Sequence, residues 1–272
     1  MFKTHLFPAR QEWPTALTSI DQLPLDTTRI RLKADASDFE MLRRFEQLDA
    51  LWCFNIDDRK LKQIARIESL QTLHLDYNLR TSDLSCLKEL PNLKVLTLNS
   101  CSKITTLNQL GEFTNLEALR IENFKNVHDI KPLRSLVNLR ELGVEGSIWT
   151  RMTIDSLASI EGLQKLVFAS FTNLKVTDES LEPLSKLDSL TRVELPNFYP
   201  FQEFARLSAK LPHCECSWFS PYIQTNLTCP KCKQAERVML SGKGKSMLCK
   251  QCDSEKLARH IKAFEAVKNT TT

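Results

Sequence analysis

Four cysteines near the end of the chain have the spacing best suited to chemistry: Cys229-Pro-Lys-Cys232, sixteen residues, then Cys249-Lys-Gln-Cys252. Each Cys-x-x-Cys bends two thiolates toward one ion, and two such pairs complete the four-sulfur tetrahedral shell that zinc favours. All four positions are thiolate, so no coordination site is left for water, and the expected cofactor is one structural zinc ion rather than a catalytic one. Iron is the minor alternative for an all-sulfur site. A redox Cys-x-x-Cys would need a thioredoxin-like βαβ context that the flanking sequence lacks. Elsewhere, His74 two residues before Asp76 invites a catalytic reading, but no serine or cysteine nucleophile joins them, and a surface histidine is expected. There is no phosphate loop, His-Glu-x-x-His helix or nucleophile elbow, so catalysis is not expected.

The elements that must hold the four sulfurs follow from the residues around them. Arg237-Val-Met-Leu240 and Ser246-Met-Leu248 flank Ser-Gly-Lys-Gly-Lys, a glycine-containing turn that predicts a hairpin between the knuckles. The arrangement resembles a zinc ribbon. Beyond it, Leu257, Ile261, Phe264 and Val267 recur at helical spacing and predict one amphipathic helix over 253–268. Residues 225–272 carry 10 basic and 4 acidic side chains, net +6, whereas 1–224 carry 27 and 29. Lys231, Lys233, Lys243, Lys245 and Lys250 would present that charge on the knuckles and hairpin tip, a modest nucleic-acid signal without aromatic stacking residues.

The larger part of the chain repeats. Leu93-x-x-Leu96-x-Leu98, Leu116-x-x-Leu119-x-Ile121 and Leu139-x-x-Leu142-x-Val144 recur at 23 residues. The frame extends back through Leu70/Leu73/Leu75 and Leu48/Leu51/Cys53 to Thr27/Ile30/Leu32, and forward to Leu163/Leu166/Phe168 and Leu190/Val193/Leu195. A ninth turn, Leu211-x-x-Cys214-x-Cys216, places two cysteines at core positions, so these read as buried thiols rather than as a second metal site with His213 and Glu215. Between strands the leucines keep a period of three, that of a 3₁₀ helix. This pattern resembles the leucine-rich repeat superfamily, nearest the short-period class of internalin-like and phosphatase-regulator-like proteins. The resemblance implies an α/β solenoid: a horseshoe with a parallel sheet on the concave face and 3₁₀ or short helices on the convex face. The family's buried asparagine is kept only at Asn78; Ile56, Cys101, Phe124, Ser147, Phe171, Phe198 and Phe219 take the other turns.

Side chains alternate along a strand, so the residues between the repeat leucines line the concave face. One column reads Arg31, Trp52, His74, Thr97, Arg120, Gly143, Val167, Glu194, Glu215, and the next reads Lys33, Phe54, Asp76, Asn99, Glu122, Glu145, Ala169, Pro196, Ser217. Trp52 and Phe54 would stand side by side as interface anchors, unless an N-terminal cap with Phe7 and Trp13 covers them. Asp76, Glu122 and Glu145 would meet a basic partner, so the candidate partner-binding residues are Trp52, Phe54, His74, Asp76, Arg120, Glu122 and Glu145. Two longer units carry loops at Ser147–Thr153, with Trp149, and at Phe171–Thr177.

The expected organisation is an N-terminal cap over 1–26, a solenoid of about nine strands over 27–222, a zinc ribbon over 225–252 and a helix over 253–268. No run approaches the apolar length of a membrane span, Met1–Arg10 lacks signal-peptide features, and nine cysteines without a framework pattern fit a reducing compartment. The expectation is a cytoplasmic, monomeric protein that binds another protein without catalysis, as an adaptor, or as an inhibitor or immunity-type binder for a cognate toxin or enzyme. The alternative is a nucleic-acid-associated factor that contacts phosphate through the ribbon and the C-terminal helix.

Overall fold

The structure is a computed structural model that describes residues 6–37, 39–78 and 80–271. Its main body is an eight-stranded parallel sheet. The first six strands are β1 (Arg29–Arg31), β2 (Ala50–Phe54), β3 (Thr72–Asp76), β4 (Val95–Asn99), β5 (Ala118–Glu122) and β6 (Glu141–Glu145). After β6 the chain adds β7 (Met152–Ile154), returns to the main sheet as β8 (Phe168–Ser170), adds β9 (Leu174–Val176), and ends the sheet with β10 (Arg192–Glu194). β7 and β9 pair with each other as a separate parallel ribbon where the two long loops leave the solenoid.

Register follows the leucines: Leu51, Leu73, Leu96, Leu119 and Leu142 stand opposite one another across five neighbouring strands. All five are fully buried, and the convex returns, mostly 3₁₀ turns such as Ser85–Glu89 and Lys131–Ser135, send Leu87 and Leu133 into the same interior. The second unit returns as an α-helix instead, α1 (Asp58–Ile64), whose N-terminus is capped by the Asp57 carboxylate accepting from Lys60 N. Strands β2 to β5 turn the corner through a left-handed residue, Asn55, Tyr77, Ser100 and Asn123, and Asn173 does so between β8 and β9, with φ between +49° and +60°. Asparagine tolerates that conformation, which explains its recurrence there. At the corner after β6, a Cβ on Gly146 would lie 2.3 Å from the Asn173 carbonyl oxygen, so only glycine lets the two loops approach.

The repeat frame changes at one unit. Ala169, not Leu166, pairs with Leu142 and Val193, so the long interval lies between Leu139 and Leu166, and the outward column continues through Ser170 rather than Val167. Leucines every three residues (Leu157, Ile160, Leu163, Leu166) make frames offset by three look alike, and a small Ala169 in the leucine position hides the true one. Phe171 is accordingly a core residue of the strand line, and Leu174 fills the turn position. In the next unit Tyr199 is the buried aromatic, while Phe198 stacks under Arg151 at 4.0 Å. The ninth turn is reduced to a single parallel bridge between Arg192 and Glu215.

After helix α2 (Phe201–Lys210) the chain forms an antiparallel three-stranded sheet of β11 (Tyr222–Thr228), β12 (Glu236–Leu240) and β13 (Met247–Cys249), then helix α3 (Ser254–Asn269). Helix α3 faces two cores at once. Leu257 and Ile261 pack on Val238, Leu240 and Leu248 of the small sheet, whereas Phe264 and Val267 enter the solenoid core.

Candidate metal centre and concave binding face

The four thiols of Cys229, Cys232, Cys249 and Cys252 all lie within 4.8 Å of one another. Cys232 Sγ is 3.7 Å from Cys249 Sγ, and Cys229 Sγ is 4.0 Å from Cys252 Sγ. Four sulfurs at about 2.3 Å from a central ion in a tetrahedron stand roughly 3.8 Å apart, so the cluster is close to the size of a metal shell. Cys229 and Cys232 sit in the loop between β11 and β12, and Cys249 and Cys252 at the end of β13, so the small sheet clamps the two pairs face to face. Backbone N–H groups converge on the sulfurs: Cys252 N donates to Cys249 Sγ at 3.4 Å. Donation from Gln234 and Ala235 brings the Cys232 thiol down to about 6, and that from Cys232 lowers Cys229. Cys252, bonded chiefly to Cys232, is pushed up to about 12. Cys229 and Cys232 are thus favoured as thiolates before any ion binds. By contrast, burial pushes the thiols of Cys214 and Cys216 up, to about 12 and about 11.

The lysines around the ribbon are largely engaged with the chain itself. Lys243 Nζ pairs with Glu179 of the solenoid, Lys245 Nζ lies 5.3 Å over the Phe201 ring, and Lys250 Nζ is 3.8 Å from Glu236. Among the described residues, Lys231 and Lys233 have no ion pair. Asn197 ties the junction, donating to the Leu240 carbonyl at 2.9 Å and accepting from Gly242 N at 2.7 Å.

On the concave face the seven candidate residues fall into two groups. Arg31, Trp52 and His74 stack across β1, β2 and β3, with the guanidinium 3.8 Å above the indole and the imidazole 4.4 Å from it. Asp76 holds this ladder: it accepts from Trp52 Nε1 at 2.9 Å and lies 3.1 Å from His74 Nε2. Phe54 stacks on Trp52 from the same strand, with ring centroids 5.5 Å apart. Farther along, Arg120 reaches Glu145 at 3.6 Å, and Asn99 donates to Glu122 at 3.3 Å. Burial, and then the charges of Glu145 and Asp76, push the Glu122 carboxyl up.

The face is not bare. The N-terminal segment crosses it as a strap: Leu6 N donates to Glu141 on β6, Phe7 packs on Val95 and Ala118 under the Arg120 guanidinium, and Trp13 packs on Ala50 and Trp52. Leu17 then bridges to Leu32 beside β1. Trp52 is only 6% exposed, and His74 is half-buried rather than a surface residue. The Phe and Trp of 1–26 were legible as cap residues, but the path of the strap over six strands was not. The tip of the β6–β7 loop carries Ile148 and Trp149, the latter 93% exposed.

These features define a leucine-rich-repeat solenoid with a four-cysteine module at its C-terminal end. No protein-family model and no curated protein matches the chain. Among solved structures, it is similar to an internalin C2 from Listeria monocytogenes, with 22% identity over 67% of this chain and 74% of that one and a TM-score of 0.49. An internalin F of the same species shows 18% identity over 71% and 67%, with a TM-score of 0.44. A chain of the LRIM1/APL1C complex shows 16% identity over 59% and 27%, with a TM-score of 0.37. Among the described residues, no helix is long and apolar enough to cross a membrane.

Proposed function

We propose that the protein is a non-catalytic binder that holds a segment of another protein against its concave sheet, with one zinc ion fixing the C-terminal module. The observation that carries this reading is the strap: a stretch of the chain's own backbone already lies across β2 to β6 as a peptide ligand would, with aromatic side chains seated on the sheet. A stacked parallel sheet offers such a surface without an ordering cost on its own side. Glu122 and Glu145, both half-buried, give the uncovered margin a negative charge that suits a basic group on the partner.

For the metal, an all-thiolate closed shell supports zinc in a structural role, held by Cys229, Cys232, Cys249 and Cys252. The phosphate-contact reading loses charge, because Lys243, Lys245 and Lys250 are spent on the junction and on the small sheet. An adaptor or an inhibitor for a toxin or enzyme fits the surface equally.

The test is affinity capture from nuclease-treated native extract, with the zinc-loaded full chain compared with a Glu122→Lys/Glu145→Lys variant. A protein retained by the wild type and lost by the variant supports the reading. Capture that disappears with nuclease, or is indifferent to the charge reversal, overturns it.

A further inference from the structure

Among the described residues, the strap is fixed to the sheet by few bonds and leaves space beneath it. From Phe7 to Trp13 its backbone hydrogen bonds, among the described residues, run within its own turn: Glu12 N to the Ala9 carbonyl, Trp13 N to the Arg10 carbonyl, and Ala9 N to the Glu12 carboxylate. Among the described residues, the one strap backbone group bonded to a sheet side chain is Leu6 N, at the outer end, and Glu12 approaches Arg29 no closer than 3.9 Å. Between this segment and Trp52, His74 and Arg120 lies a cavity of about 820 Å³. The strap is held by two aromatic seats rather than by continuous packing: one on Val95 and Ala118 beside Arg120, the other on Ala50 and Trp52.

We propose that residues 6–13 are a displaceable occupant of this groove, and that the partner is an extended protein segment with two aromatic side chains four residues apart, placed in the seats of Phe7 and Trp13. This rests on the concave-face reading above. The spacing comes from geometry. The first seat spans β4 and β5 and the second lies on β2, so they are separated by two to three strands, about 12 Å at roughly 4.8 Å per strand. A fully extended chain covers that distance in about four residues, and residues i and i+4 then point to the same side. The strap uses six residues because Arg10–Glu12 is folded into a 3₁₀ turn, which lifts its middle off the sheet and leaves the cavity. A straight segment spans the same seats without the turn and lies closer to the sheet. The groove margin then offers Glu122 and Glu145; among the described residues Glu122 has no cationic ion-pair partner, so a basic residue next to the aromatics gains a contact that the strap does not supply.

The strap acts as an intramolecular competitor at the high effective concentration of a tethered segment, so a free peptide sees only the fraction of molecules whose strap is open. The experiment uses the zinc-loaded full chain and two fluorescent probes: a peptide of residues 4–18, and the peptide Ser-Phe-Thr-Ser-Thr-Trp-Ser, read by anisotropy. A Phe7→Ser/Trp13→Ser variant, which empties both seats, is expected to bind both probes about tenfold or more tightly than the wild type, with the seven-residue peptide the tighter. Adding Ala118→Arg, which fills the first seat, abolishes the gain. Equal affinity of wild type and variant, or no binding by a variant that keeps its thermal melt, overturns the proposal. If the variant does not fold, hydrogen exchange on the wild type with and without the seven-residue peptide decides. Strap amides that exchange faster when the seven-residue peptide is added in excess support a displaceable occupant, and strap exchange indifferent to saturating peptide overturns it. If capture from extract depends on Glu122 and Glu145 while neither peptide binds the variant, this inference fails and the concave-face function stands. If the peptides bind and no protein is captured, the reverse holds.

Discussion

Glu122 is the residue where the concave face pays for its charge. Its carboxyl is half-buried, accepts from Asn99, and sits between the like charges of Glu145 and Asp76, with Arg120 turned toward Glu145. A carboxyl whose pKa is raised by folding destabilises the folded state at pH values where it is ionised. That penalty is absent below the unfolded value of about 4.5, grows as pH rises through the folded value, and is complete above it. Glu122→Gln is therefore expected to stabilise the protein at pH 7 by on the order of 0.5 kcal/mol, discounted for the solvent that this side chain still sees, and to leave stability unchanged near pH 4. Denaturant melts of both proteins at the two pH values check this; a gain as large at pH 4 as at pH 7 would contradict the electrostatic cause. The acidic residues of this column were legible from strand alternation alone. Their cover was not: Trp52 lies against Trp13, from a segment some forty residues away in sequence, which no local period encodes.

At the level of elements, most of the solenoid could be read because a strand, a turn and a 3₁₀ return each leave a leucine mark. Where the mark fades, so does the reading: Ala169 carries no leucine, and β11, with only intermediate and exposed residues, has no alternating apolar face to announce it. The four cysteines and α3 were legible from spacing, but α3's division between two cores was not, since Leu257, Ile261, Phe264 and Val267 form one stripe in sequence. That division sets what metal removal does. Chelation releases the clamp on β12 and β13 and takes away the surface on which Leu257 and Ile261 rest, but leaves Phe264 in the solenoid. The expected outcome is loss of the small sheet's hydrogen-exchange protection, with the solenoid melting only a few degrees lower. Joint collapse of both would show that the module and solenoid fold as one unit. The junction offers a second check without chelator: Gly242 has φ +112° and a Cβ there would lie 2.8 Å from Phe201 Cβ, so Gly242→Ala should destabilise the C-terminal end by about 1–3 kcal/mol while retaining metal at four thiols per ion.

Across the whole molecule a single apolar core runs from Ile20, under the first strand, through every repeat to Phe264 of the last helix. Each repeat touches only its neighbours, so a defect spreads along the chain by nearest-neighbour coupling rather than through a common centre. Position along that line therefore matters as much as burial. Leu142 and Phe264 are both fully buried, yet Leu142 has a unit on each side and Phe264 closes one end. Leu142→Ala is expected to cost about 2–5 kcal/mol and to lower amide protection in β5 and β8, on both flanks. Phe264→Ala, of similar or larger local cost, should lower protection in α2 and α3 while β2 to β5 keep theirs. Native-state hydrogen exchange across the chain separates the two patterns. If the Phe264 substitution loosens β2 as much as α2, the solenoid is one cooperative body, and its ends are then as able to control the concave face as the strap that lies on it.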